Sequence, residues 1–131
     1  MSSDADRNSV REQGIGPSAV FLIPATKLTF CDEQGLTLER RLHNFLLSRF
    51  GGYTTSAANL CGFWVSPSGE HFYGEHREYR VFMNGGKSTP SLKLFLAEIA
   101  SEIDEQCICF ASGDSSCLIF PHTSSAESCE I

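Results

Sequence analysis

The hydrophobic positions of this chain change period several times, and each change marks an element. In FLIPATKLTF, residues 21–30, Leu28 and Phe30 point one way and Lys27 and Thr29 the other. That period of two predicts a first strand, with Pro24 as an edge or a break. From Thr37 the spacing becomes Leu38, Leu42, Phe45, Leu46 and Phe50, one face of a helix that Gly51-Gly52 closes. Residues 53–65 are rich in threonine and aromatic side chains and end at Ser-Pro-Ser-Gly, after which 70–83 form a second β run. The two predict a hairpin. Asn84-Gly85-Gly86 stops it, Thr89 is a natural N-cap with Pro90 at the first helical position, and Leu92, Phe95, Leu96, Ile99 and Ile103 follow at helical spacing. CICFAS and CLIF then supply a last strand, or a short hairpin about Gly113-Asp114, before a polar tail from His122.

The order β-α-β-β-α-β predicts an α+β, ferredoxin-like fold: a four-stranded antiparallel sheet with two helices on one face. The chain has 131 residues, enough for one core. The expected organisation is a single domain over 19–121 with a disordered tail at 1–18 and a flexible one at 122–131. That fold hosts many unrelated functions, so function has to be argued from sites.

Composition narrows the field. Hydrophobic residues make up 41% and charged residues 20%, an ordinary globular balance, and the formal charge is −6. An acidic chain is a poor match for nucleic acid, so no nucleic-acid partner is expected. The first 19 residues are polar and of mixed charge, and the apolar run from Val20 to Ile23 is too short for export or spanning, which predicts a cytoplasmic protein with no membrane partner. Six cysteines include no C-x-x-C pair, so they read as free thiols. Cys107 and Cys109 would share a strand face, but two ligands do not make a metal site.

The densest chemistry lies in CGFWVSPSGEHFYGEHREYRVFM, residues 61–83, where Glu-His occurs twice. Histidine beside carboxylate suits a divalent metal or an acid/base pair. Parity speaks against a shared cage, because His71 and His76 are five apart and point to opposite faces of an unbroken strand. Only a bulge at Gly74 would bring His71, Glu70 or Glu75 round beside His76. His71, Glu75 and His76 are therefore the catalytic candidates, with no resident metal and no cofactor expected. The alternation of Glu75, Arg77, Glu78 and Arg80 equally suits a solvated outer strand.

Gly85, Gly86, Lys87, Ser88 and Thr89 follow a strand and precede a helix, the setting of a phosphate loop. The full motif needs glycine five residues before Gly86, where Val81 stands. What remains is a weak anion site of N–H groups, a helix N-terminus and one lysine, with a small anionic ligand as its expected partner.

Arg49, Phe50, Gly52, Tyr53 and Thr54 at the end of the first helix, then Gly62-x-Trp64, Gly69 and Glu75, form a pattern over Leu28–Phe120. It resembles an uncharacterised bacterial family of small domains of unknown function. The resemblance implies the fold and carries no activity. Together these readings predict a non-enzymatic small-ligand-binding or regulatory module, a homo-oligomer that self-associates through its open sheet face. The alternative is a small hydrolase or metal-dependent enzyme using the Glu-His pairs.

Overall fold

The computed structural model describes residues 9–83 and 89–122. Its architecture is α+β: a six-stranded antiparallel sheet with two helices. Strand β1 (Ser18–Pro24) is central, pairing with β4 (His71–Phe82) on one side and β5 (Ile108–Ser112) on the other. The outer edge of β4 carries β2 (Thr54–Thr55) and β3 (Leu60–Val65), and β6 (Ser115–Ile119) closes the opposite side against β5.

Strict alternation along β1 buries Ala19, Phe21 and Ile23 completely. They meet Tyr79 and Val81 of β4 and Ile108 and Phe110 of β5 in a single core, with Phe21 and Tyr79 stacked at 5.3 Å between centroids. Helix α1 (Leu38–Phe50) contributes Leu38, Leu42 and Leu46 to that core, and helix α2 (Thr89–Glu102) contributes Leu92, Leu96 and Ile99. The helices touch through Phe45 and Phe95, whose rings stack at 3.8 Å.

Local chemistry sets the helix ends. Thr37 Oγ1 accepts from Arg40 N–H at 3.1 Å at the start of α1, and Gly51 ends it in the left-handed region at φ 78°. The Lys27 ammonium donates to Ile103 O at 2.7 Å just beyond α2. Arg77 of β4 pairs with Glu39 of α1, and Arg41 bridges Asp32 and Glu102, so three elements are joined by ion pairs at the rim.

Three expectations need correction. The sheet has six strands rather than four: of the two forms open to the last apolar run, the hairpin about Gly113 (φ 59°) is the one that forms, as β5–β6, and Thr54–Thr55 form a short separate strand. The first strand starts at Ser18 and stops at Pro24, and Ala25–Lys27 form a 3-10 turn. Proline has no N–H to continue a ladder. Leu28 is buried, but in a turn where its N–H reaches Ala25 O at 3.3 Å. Ser18, assigned to the tail, belongs to β1. Among the described residues no helix is long and apolar enough to cross a membrane.

Candidate functional site

β4 is longer than its neighbour. Pro24, the last residue of β1, pairs with His76, so residues 71–75 of β4 run on beyond the central strand with only β3 beside them. The chain leaves β1 through the 3-10 turn at this point. The result is a notch, an open cleft of about 600 Å3 between the inner edge of β4 and that turn. Pro24, Ala25 and Thr26 form one wall, Tyr73, Gly74, Glu75 and His76 the other, and Asn59, Trp64 and Glu105 complete it.

The notch explains how residues of opposite parity can serve one site. The β3–β4 register is one-to-one from Leu60↔His76 to Val65↔His71, so Gly74 is not a bulge. Glu75 and Tyr73 lie on the same face as the helices, and His76 and Trp64 lie on the other. All four reach the notch because it opens at the strand's edge and takes in both faces.

On the first face, the Tyr73 hydroxyl donates to Glu75 Oε2 at 2.9 Å, and Cys61 Sγ lies 3.5 Å from the same hydroxyl. Cys61 stands directly opposite Glu75 across the ladder. These hydrogen bonds, to Cys61 first and then to Glu75, hold the Tyr73 phenol well above its usual value. On the second face, the Trp64 indole stacks on Phe72 at 5.9 Å with 13° between planes and meets the His76 ring at 6.2 Å and 59°. Two glycines make its seat. A Cβ on Gly74 would lie 2.8 Å from His76 Cε1 and 3.2 Å from Trp64 Cη2, and one on Gly62 would touch Trp64 Cζ3 at 3.6 Å.

The sequence candidates separate accordingly. Glu75 and His76 line the notch, whereas His71 sits at the tip of the hairpin opposite Val65. Five residues of strand place it about 17 Å from His76. Among the described residues no three His, Cys, Asp or Glu side chains come together to hold a metal ion. The anion-site expectation at Gly85, Gly86, Lys87 and Ser88 lies outside the described residues. Thr89 is described, and its hydroxyl donates to Met83 Sδ at 3.1 Å.

Sequence reasoning passed over Tyr73, Trp64 and Glu105. Trp64 and Tyr73 alternate with glycine and with Glu75, a spacing that suits rings packed across a hairpin equally well. Glu105 follows α2 and only the fold brings it to β4. Chemically the notch offers an exposed ring face, two carboxylates, an imidazole and a protonated phenol, with no lysine or arginine among its lining residues.

No protein-family model matches the chain, and no curated protein matches it. Among solved structures it is similar to a phage SAM lyase in complex with S-methyl-5'-thioadenosine, at 14% identity and a TM-score of 0.55, covering 88% of this chain and 98% of the other. A phage SAM lyase in the apo state matches at 13% identity and a TM-score of 0.51, covering 89% and 100%. At such identities the likeness shows a common fold.

Proposed function

We propose that this protein is a small-ligand-binding module that self-associates, and that its ligand occupies the notch. The observation carrying this reading is the joint lining of one cleft by Trp64, Glu75, His76 and Glu105. A flat ring face beside carboxylates suits a compound with a planar ring and hydroxyl or cationic groups, and an acidic rim without lysine or arginine disfavours phosphates. We read β1, β3, β4 and β5 with the two helices as a ferredoxin-like core to which β2 and β6 are added. The shared fold with a lyase holding S-methyl-5'-thioadenosine makes adenine thioethers the first probes.

Calorimetry with S-methyl-5'-thioadenosine and S-adenosylmethionine tests it. Saturable binding that is lost in Trp64→Ala and weakened in Glu75→Gln is the expected result; no heat from either compound at millimolar concentration removes this ligand class.

One observation favours a second reading, an enzyme. Glu75 accepts a hydrogen bond from a phenol in an open cleft that His76 lines from the other face of the sheet, so a carboxylate and an imidazole border one ligand space. Chromatography of the ligand after incubation separates the two. Recovery unchanged supports the binding module, and conversion that disappears in Glu75→Gln supports the enzyme. His71 is outside this reading.

A further inference from the structure

Of the large apolar side chains that the sheet leaves exposed, most lie on the β3–β4 hairpin. Phe63 is 77% exposed, Val65 57%, Tyr73 54% and Trp64 48%. The open face alongside β1 carries a shallow groove lined by Val20, Leu22 and Leu118, but Val20 and Leu22 are half-buried and Glu78 and Arg80 stand among them. The outer edge of β3 has no strand beside it among the described residues, since β3 pairs with β4 alone. Edge strands ordinarily carry a lysine, a proline or a bulge that prevents further pairing. Leu60–Val65 reads LCGFWV, with none of the three.

We propose that β3 is a self-association edge, along which two copies of this chain join antiparallel about a two-fold axis and extend the sheet through both molecules. This deepens the self-association part of the reading above and does not depend on the ligand. Three observations favour a second copy as the occupant. A two-fold axis perpendicular to the sheet preserves its faces, so Leu60, Gly62 and Trp64 of one copy meet the same set in the other, and Cys61, Phe63 and Val65 meet theirs. The strand is thus apolar against apolar on both faces. The area is adequate: Leu60, Phe63, Trp64 and Val65 of β3 leave on the order of 400 Å2 of largely apolar surface to water, and a standard interface buries about 800 Å2 per partner, a little over half of it apolar. Charge points the same way. Each chain carries −6, so two copies repel except where they meet without charge, and β3 has none. The notch lies on the other edge of β4 and stays open in such a dimer.

Light scattering across a dilution series of the whole chain tests the proposal. The expected mass at micromolar concentration is twice 14.4 kDa, falling to the monomer in Phe63→Lys and unchanged in Leu118→Lys at the opposite edge. Phe63 is far outside the core, and circular dichroism confirms that its variant folds. Trp64 is the one tryptophan of the chain, so its emission shifts red on dilution as the edge is released. Hydrogen exchange on the unaltered protein is an independent measure, with amides of 60–65 slowing as concentration rises. A monomer throughout overturns self-association and the edge together. An oligomer that survives Phe63→Lys and Val65→Lys but dissociates in Leu118→Lys, or a mass of three or more chains, overturns the β3 dimer while leaving self-association standing. A monomer whose β3 amides are protected only by an added extended peptide assigns the edge to another partner and also overturns it.

Discussion

Gly74 shows how a single missing side chain shapes the site. The indole of Trp64 and the ring of His76 occupy the space a Cβ would take, and the nearer of the two contacts is the far end of the His76 ring. That end can swing away cheaply. Gly74→Ala is therefore expected to cost no more than about 1 kcal/mol of stability, yet to alter Trp64 emission and weaken notch binding about tenfold. Unchanged emission in a folded variant would show that the seat is not needed. Tyr73 is a second residue whose neighbours set its chemistry. Its phenol is raised by hydrogen bonds to Cys61 and Glu75, and that of Tyr79 by burial. Of the three tyrosines, two should thus ionise above the ordinary value of about 10, and alkaline difference absorbance should lose one late step in Tyr73→Phe. For Tyr79 the folded state binds its proton more tightly than the unfolded state. Its contribution is complete below about pH 10 and declines as pH rises through the raised value. Urea midpoints that increase from pH 10 to 11 would contradict this sign. Parity placed His71 and His76 on opposite faces in the sequence, but it is five residues of strand that keep His71 from the notch, since Tyr73 and Glu75 share its parity and still line the cleft with His76. The partnership of Tyr73 with Glu75 was not legible, because an i, i+2 pair on a strand looks the same whether or not a cleft opens beside it.

The elements that could be read from the sequence are those with a period and a stop. Both helices had the period, and α1, which had its stop as well, runs from Leu38 to Phe50 between the threonine and glycine that predicted its ends. Thr37→Ala removes an acceptor that nothing else in the first turn replaces, so a loss of about 1 kcal/mol is expected from chemical denaturation. A variant as stable as the parent would mean that solvent caps the helix equally well. Strands were harder. The alternation of Leu28 and Phe30 imitates a strand, while the real one spends its buried positions on Ala19, Phe21 and Ile23 and is cut at Pro24. Proline was visible as a break, but which side of it held the strand was decided by the core. β2 is separated from β3 at Ser56–Asn59, where Ser56 reaches Glu78 through both its N–H and its hydroxyl, a side-chain substitute for ladder bonds that leaves no periodic trace.

At the scale of the molecule, what matters most is that β4 outruns β1. The overhang creates the notch on one edge and an unsupported two-stranded ribbon on the other, so both candidate surfaces follow from a single mismatch in strand length. Charge then decides what the notch can accept. The chain carries −6, and the cleft adds Glu75 and Glu105 with no lysine or arginine in its lining. Charge on a ligand should therefore rank binding independently of its ring. S-adenosylmethionine, with its sulfonium, is expected to bind more tightly than neutral S-methyl-5'-thioadenosine, and adenosine monophosphate least tightly. The preference for the cation should shrink when salt rises from about 0.01 to 0.15 M, over which the screening length falls from about 30 to 8 Å. Glu105→Gln should reduce it by about tenfold at low salt while leaving the neutral thioether nearly unaffected, a coupling of the size seen for partly exposed charges. Equal affinities for the three compounds, or a ranking indifferent to both salt and Glu105, would mean that the ring alone is recognised and that the carboxylates of the notch serve some other purpose.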